Sequence, residues 1–103
     1  MGWATSHIAR LSAGEAATFR PRGHSMSGII ESGQLVTVTP FDADAVPEKG
    51  DVVLCVVKGR EYLHLIKAVT SDRSRFQIGN NRGGINGWTG RNRIYGKVTQ
   101  IEP

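Results

Sequence analysis

The chain is poor in cysteine, in aromatic side chains and in long apolar runs, and each shortage excludes a class of protein. Its single cysteine, Cys55, excludes an intrachain disulfide and any zinc site built on cysteine pairs. The thiol lies in the apolar segment 52–57, so we expect it to be buried and unreactive. No segment approaches the roughly 18 apolar residues of a transmembrane helix, and the first residues do not resemble a signal peptide. We therefore expect a soluble cytoplasmic protein without membrane contact, metal or cofactor.

Length and composition limit the fold. A chain of 103 residues can form one modest core, so we expect a single domain over residues 15–103, preceded by an arm or short helix over residues 1–14. The four-residue spacing of Trp3, His7 and Leu11 indicates one face of a helix in this arm. Thirteen glycines and many Val, Ile and Thr residues favour a mostly β fold, a small barrel or sandwich.

The net charge of +4 permits an anionic partner without requiring one. Nucleic-acid binding would be better supported by basic residues interleaved with exposed aromatic rings. Phe76 and Tyr95 instead alternate along the chain as core side chains do. A small basic nucleic-acid-binding barrel is therefore the function class that the sequence supports least.

Apolar and β-branched segments separated by turn residues predict the strands. The run 52–57 is almost entirely apolar, which is typical of a strand covered on both faces at the centre of a sheet. The tight Lys58-Gly59-Arg60 turn then predicts a hairpin with the segment 61–69. Residues 80–90 are rich in Gly and Asn and predict a long loop, a kind of segment that is commonly functional in small domains. The other predicted strands are 16–20, 35–39, 76–79 and 94–101.

Ser25 and His64 are the candidate catalytic residues. Ser25 lies in a glycine-flanked turn, and a serine hydroxyl attacks only when a base within about 2.6–3.2 Å takes its proton. Alternation along the strand places Tyr62, His64, Ile66 and Ala68 on one face, with Lys67 and Val69 on the other. Because His64 and Lys67 cannot both face Ser25, we favour His64, whose ordinary pKa is about 6.5.

Two further groups would complete such a site. An amide oxygen of Asn80 or Asn81 could accept the imidazole N–H and orient the ring. Backbone N–H groups of the turn that begins at Gly23 and includes Met26 could stabilise an oxyanion. The alternative is purely structural: Ser25 is then a turn residue and His64 a packed residue of a barrel, since some Ser–His pair occurs in almost any chain of this composition.

The order of six short blocks resembles the catalytic core of the LexA and type I signal peptidase superfamily over residues 19–101. This resemblance implies coiled antiparallel sheets, Ser25 as nucleophile and His64 in the base position. Bacterial signal peptidases and LexA-type repressors have lysine there, whereas the signal peptidases of archaea and the endoplasmic reticulum have histidine. The blocks are Gly23-x-Ser25-Met26, residues 30–38, Gly50-Asp51-Val52-Val53, Leu63-His64-Leu65-Ile66, Gly79-Asn80-Asn81 and residues 94–98.

The sequence also departs from this family. Gly28 stands where signal peptidases have proline, and Asn80 stands where the histidine-type enzymes have aspartate. Ala13-Gly14 resembles the bond that LexA-type proteins cut in themselves. The resemblance therefore implies a prokaryotic or phage serine peptidase that cleaves a peptide or itself. The alternative is a non-catalytic peptide- or protein-binding module of the same fold, and either could act as a homodimer.

Overall fold

A computed structural model describes residues 2–103 of the chain. Over these residues the chain forms one short helix and seven strands, so the predicted mostly β fold with a short N-terminal helix is confirmed. No helix among them is long and apolar enough to cross a membrane. The elements are α1 (Thr5–Ser12), β1 (Ala17–Phe19), β2 (Leu35–Thr39), β3 (Val52–Val57), β4 (Arg60–Val69), β5 (Arg75–Gly79), β6 (Ile85–Gly90), a 3-10 turn (Arg91–Arg93) and β7 (Ile94–Glu102).

The strands form one antiparallel sheet in the order β1-β2-β7-β3-β4-β5-β6. The sheet curls into a half-barrel, and its edge strand β6 returns to β3, where Thr89 Oγ1 donates a hydrogen bond to the Val56 carbonyl at 2.8 Å. The predicted β3–β4 hairpin is confirmed. Lys58 and Gly59 both have positive φ (51° and 80°), the turn geometry that matches the twist of paired strands.

Strand β3 lies at the centre of the order and divides the apolar core into two clusters. Its Val52 and Leu54 belong to the first cluster, and its Val53, Cys55 and Val57 belong to the second. The prediction of a strand covered on both faces is therefore confirmed. Burial raises the pKa of the Cys55 thiol to about 12, so this side chain stays neutral and unreactive, as expected.

Helix α1 packs against this sheet through Leu11, which is buried, and Ile8, which is partly buried. Its N-terminal end is tied to β4, because Glu61 Oε1 accepts the Ala4 N–H at 2.9 Å. A carboxylate at this end also interacts favourably with the positive end of the helix dipole. The N-terminal segment is thus part of the folded unit.

Two sequence predictions about strands were wrong. Ile66 pairs with Ile78 and Ala68 pairs with Gln77, so Lys67 is the extra residue of a β-bulge. A bulge reverses the alternation, and Val69 packs against the second core cluster, as Tyr62 does, instead of facing away from it. The second error is the loop over 80–90: its second half is strand β6, because pairing with β5 overrides the turn-like composition.

Candidate functional site

Ser25 lies in an exposed turn whose backbone is held by the residues after it. Met26 is buried in the first core cluster, and its carbonyl accepts the N–H groups of Ile29 and Ile30 at 3.0 and 2.8 Å. Gly28 has φ +95°, a conformation that favours glycine. Proline cannot adopt this φ, so the turn differs locally from one with proline at that position. The serine side chain is therefore exposed on a backbone that the core fixes.

His64 faces this serine from the middle of β4. Its backbone pairs with Val53, so the residue belongs to the central part of the sheet. The His64 Nε2 atom is 3.1 Å from Ser25 Oγ, within the distance that direct proton transfer requires. The ring is only 8% exposed and stacks on Tyr62, with the two centroids 5.0 Å apart. The structure thus brings together the two side chains that the sequence singled out.

Burial determines the protonation of His64. It lowers the pKa of the imidazole below its ordinary value, and the weaker effect of the hydrogen bond to Asn86 acts in the opposite direction. Near neutral pH the ring is consequently uncharged, which leaves one ring nitrogen free to accept a proton.

Asn86 orients the imidazole, a role for which the sequence suggested Asn80 or Asn81. Asn86 Oδ1 is 2.7 Å from His64 Nδ1. An amide oxygen can only accept, so Nδ1 carries the ring proton and Nε2 presents its lone pair to the Ser25 hydroxyl. Ser25, His64 and Asn86 therefore form a continuous chain of hydrogen bonds, which we call the triad.

A second β-bulge directs Asn86 toward the histidine. Gly79 pairs with Ile85 and Ile78 pairs with Gly87, so Asn86 is the extra residue on β6. Gly87 has φ +136°, which few other residues tolerate. Bulges redirect side chains next to active sites. A strand and bulge within residues 80–90 would have been the signal for Asn86, but the composition of that segment concealed both.

Asn80 and Asn81 have other partners. Asn80 Oδ1 accepts the N–H groups of Arg82 and Gly84, both at 2.8 Å, and so shapes the β5–β6 turn. Asn81 contacts the Ser25 turn: its backbone N–H donates to the Ser25 carbonyl at 2.8 Å, and its Nδ2 donates to the Ser27 carbonyl at 2.7 Å. Neither side chain is hydrogen-bonded to His64, so the orienting role suggested for them falls to Asn86.

Of the two residues suggested for the oxyanion site, one has a free N–H and the other does not. The Gly23 N–H donates to Ser32 Oγ at 3.1 Å and is occupied. The Met26 and Ser25 N–H groups have no hydrogen-bond partner within residues 2–103. Free N–H groups at and directly after the serine can serve as donors to an oxyanion.

A groove of about 450 Å³ contains the triad serine and histidine. Its lining includes three aromatic rings from the N-terminal part of the chain, since His7 stacks on Phe19 at 4.3 Å and Trp3 lies 5.6 Å from Phe19. Trp3 is 53% exposed, so much of its ring remains accessible in the groove. The site is thus open and has the mixed apolar and polar lining typical of ligand pockets.

Within residues 2–103 no three His, Cys, Asp or Glu side chains are grouped closely enough to hold a metal ion. No protein-family model matches this chain, and no curated protein matches it either. The resemblance to the LexA and signal peptidase superfamily therefore stays a prediction.

Proposed function

We propose that this protein is a serine peptidase in which Ser25 is the nucleophile, His64 the general base and Asn86 the group that orients the base. The observation that carries the proposal is the chain of two hydrogen bonds, 3.1 Å from Ser25 Oγ to His64 Nε2 and 2.7 Å from His64 Nδ1 to Asn86 Oδ1. A nucleophile, a base and an orienting group in this relation define a catalytic triad by geometry. The open groove provides room for an extended peptide.

The proposed reaction has two halves. Ser25 Oγ attacks the carbonyl carbon of the peptide while His64 Nε2 takes the hydroxyl proton, and the free N–H groups of Ser25 and Met26 donate to the resulting oxyanion. The imidazolium then gives that proton to the leaving amine nitrogen, the C–N bond breaks, and an acyl-serine remains. In the second half His64 deprotonates a water molecule, which attacks the ester carbonyl. The bond from the acyl carbon to Ser25 Oγ then breaks, the imidazolium returns its proton to Ser25 Oγ, and the acyl group leaves as a carboxylic acid.

The neutral third group limits the rate of this chemistry. Asn86 fixes the tautomer and orientation of the ring as a carboxylate would, but it does not stabilise the positive imidazolium that forms during attack. Burial of His64 adds to this cost, because it disfavours the charged ring. We therefore expect slow turnover compared with a triad that contains aspartate.

The Ala13–Gly14 bond is a poor match to this groove. The Ala13 N–H donates to the Ala9 carbonyl and the Gly14 N–H to the Leu11 carbonyl, so the bond belongs to the end of helix α1. Neither residue lines the groove. Self-cleavage within one molecule would require this helix end to unwind, so we propose a separate peptide chain as substrate.

A fluorophosphonate probe tests the proposal directly. Ser25 Oγ would attack phosphorus, fluoride would leave, and the serine proton would pass to His64. We expect intact-mass analysis to show one adduct in the wild type and none in Ser25→Ala. Ser71→Ala removes an exposed hydroxyl elsewhere and should label like the wild type. Absence of an adduct in the wild type, after long incubation at pH 7 to 9, would refute the proposal.

The second candidate function is a non-catalytic peptide- or protein-binding module, and the neutral Asn86 favours it. In that case peptides would bind the groove with equal affinity in the wild type and in Ser25→Ala, and the probe would label neither. Labelling of Ser25 that depends on His64 would exclude this function.

A further inference from the structure

The backbone carbonyls of the Ser25 turn accept hydrogen bonds from a distant part of the chain. Residues Gly23 and Gly28 are held locally, by Ser32 Oγ at 3.1 Å and by Glu31 Oε2 at 2.7 Å. Asn81, by contrast, approaches from the end of β5 and makes the two bonds described above to the Ser25 and Ser27 carbonyls. These two bonds hold the carbonyls of Ser25 and Ser27, on either side of Met26.

These bonds join the nucleophile to the strand system that holds the base. Asn81 follows β5, which pairs with the second half of β4 beyond His64. Five residues later the same hairpin supplies Asn86, the partner of His64 Nδ1. The β5–β6 hairpin thus contacts both ends of the triad, and Asn80 shapes the turn of this hairpin by accepting two of its N–H groups.

We propose that Asn81 is a positioning residue, which holds the Ser25 carbonyl and the Ser27 carbonyl so that Ser25 Oγ stays within reach of His64 Nε2. The inference rests on the proposed function for its catalytic meaning. Without the Nδ2 bond the turn keeps its buried Met26 but loses a restraint directly beyond the serine. Small displacements of a reacting group cost large factors in rate.

Gly28 allows this contact to form. A Cβ atom on Gly28 would lie 3.1 Å from Asn81 Nδ2, and the residue has φ +95°. A side chain at position 28 would therefore require Asn81 Nδ2 to shift by a few tenths of an ångström, which would disturb its bond to the Ser27 carbonyl. Gly14 is a matched control, because it has φ +84° and nothing within 4 Å of its Cβ position.

The first experiment uses the His64 Nε2 resonance in ¹⁵N NMR spectra, since its shift reports the hydrogen bond from Ser25 and requires no catalysis. Ser25→Ala defines the shift when that bond is absent. We expect Asn81→Ala and Gly28→Ala to move the resonance toward the Ser25→Ala position. Asn92→Ala, at an exposed asparagine of the 3-10 turn, and Gly14→Ala should leave it in place.

The second experiment measures the rate of fluorophosphonate labelling in the same proteins. We expect labelling about tenfold slower in Asn81→Ala, the effect of losing one hydrogen bond. In the double variant with His64→Ala the Asn81 substitution should have no further effect, because the contact it positions is already gone. A purely structural role would instead lower the rate by the same factor in both backgrounds.

The two proposals can fail separately. If the wild type does not label but the Nε2 resonance moves in Asn81→Ala, catalysis is refuted while the positioning of Ser25 by Asn81 stands. If the resonance stays at its wild-type position in folded Asn81→Ala, the positioning role is overturned, whatever the labelling rate shows. If Asn81→Ala does not fold, the His64 Nε2 resonance of Gly28→Ala tests the positioning role of Asn81 in the same way.

Discussion

The two halves of the candidate site are built in opposite ways. His64 lies inside a central strand, is nearly buried and has its backbone fixed by pairing with β3. Ser25 lies in an exposed turn and is held by contacts around it, chiefly the buried Met26 and the bonds from Asn81. In the proposed reaction the rigid half therefore sets the protonation chemistry, whereas the exposed half sets the distance over which the proton would move. Substitutions in the two halves should consequently change different properties of the protein.

The largest effect is expected from removal of the base. His64→Ala should lower the rate of fluorophosphonate labelling by about 10³-fold, within the usual contribution of general base catalysis. The folded structure should persist, because the alanine leaves no buried polar group unpaired apart from the Asn86 oxygen, which water can reach through the vacated space. Circular dichroism checks the fold. A reduction of less than about tenfold would mean that Ser25 reacts without His64.

Met26→Ala tests the other half through stability. Truncation of this buried side chain should lower the free energy of unfolding by about 2–4 kcal/mol, measured by urea denaturation. In the absence of urea the folded variant should also label more slowly, because the buried Met26 side chain no longer fixes the backbone next to Ser25. Ile29→Ala is the comparison, since Ile29 is an exposed apolar residue of the same turn and should cost less than about 1 kcal/mol. Equal costs for the two variants would contradict the anchoring role.

Asn86→Asp replaces the amide next to His64 by a carboxylate of nearly the same shape. The carboxylate should raise the pKa of His64 and stabilise the imidazolium, so we expect labelling about tenfold faster near pH 8. Asn86→Ala should label about tenfold more slowly than the wild type, since the tautomer is no longer fixed. A histidine titration by NMR checks the pKa in each variant. If Asn86→Asp left that pKa unchanged, the contact between residues 86 and 64 would be refuted.

The smallest effect concerns pH. Because burial lowers the pKa of His64, the labelling rate should rise through an inflection below about pH 6.5 and then remain level to pH 8. Stability follows from the same shift. Below about pH 6.5 His64 binds a proton in the unfolded chain but not in the folded protein, which favours unfolding. The contribution of neutral His64 to the free energy of unfolding is therefore complete above that pH and is lost as the pH falls toward the folded pKa. The difference in the free energy of unfolding between the wild type and His64→Gln, measured across this pH range, separates the effect of His64 from that of His7 and His24. A labelling inflection above pH 6.5 would contradict the assignment.

The sequence predicted the parts of this molecule that depend on local pattern. The apolar run of β3, the Lys58–Gly59 hairpin and the mostly β fold follow from composition and turn chemistry. Alternation on β4 showed that His64 and Lys67 cannot both face Ser25, and the pKa of histidine and the family resemblance favoured His64, which the structure places 3.1 Å from Ser25 Oγ. The bulges at Lys67 and Asn86 could not be predicted, because a bulge is a property of two paired strands and not of either one alone.

Asn80 shows why a family position can mislead. The resemblance suggested that asparagine there removes an acid from the site, yet the side-chain oxygen serves to accept two backbone N–H groups. An amide oxygen and a carboxylate oxygen are equally suited to that task. The chemistry of the third group is decided instead at Asn86, six positions further along.

The bond from Glu61 to the Ala4 N–H has a mechanical consequence. Glu61 and His64 are on the same paired stretch of β4, and Trp3 precedes the residue that Glu61 holds. The aromatic wall of the groove is therefore braced against the strand that carries the base. In the proposed reaction, a bulky substrate that displaced this wall would weaken the Glu61 bond or shift β4, and the width of the groove would then be coupled to the alignment of His64. Selection by size would then act on the rate of the proposed reaction as well as on affinity.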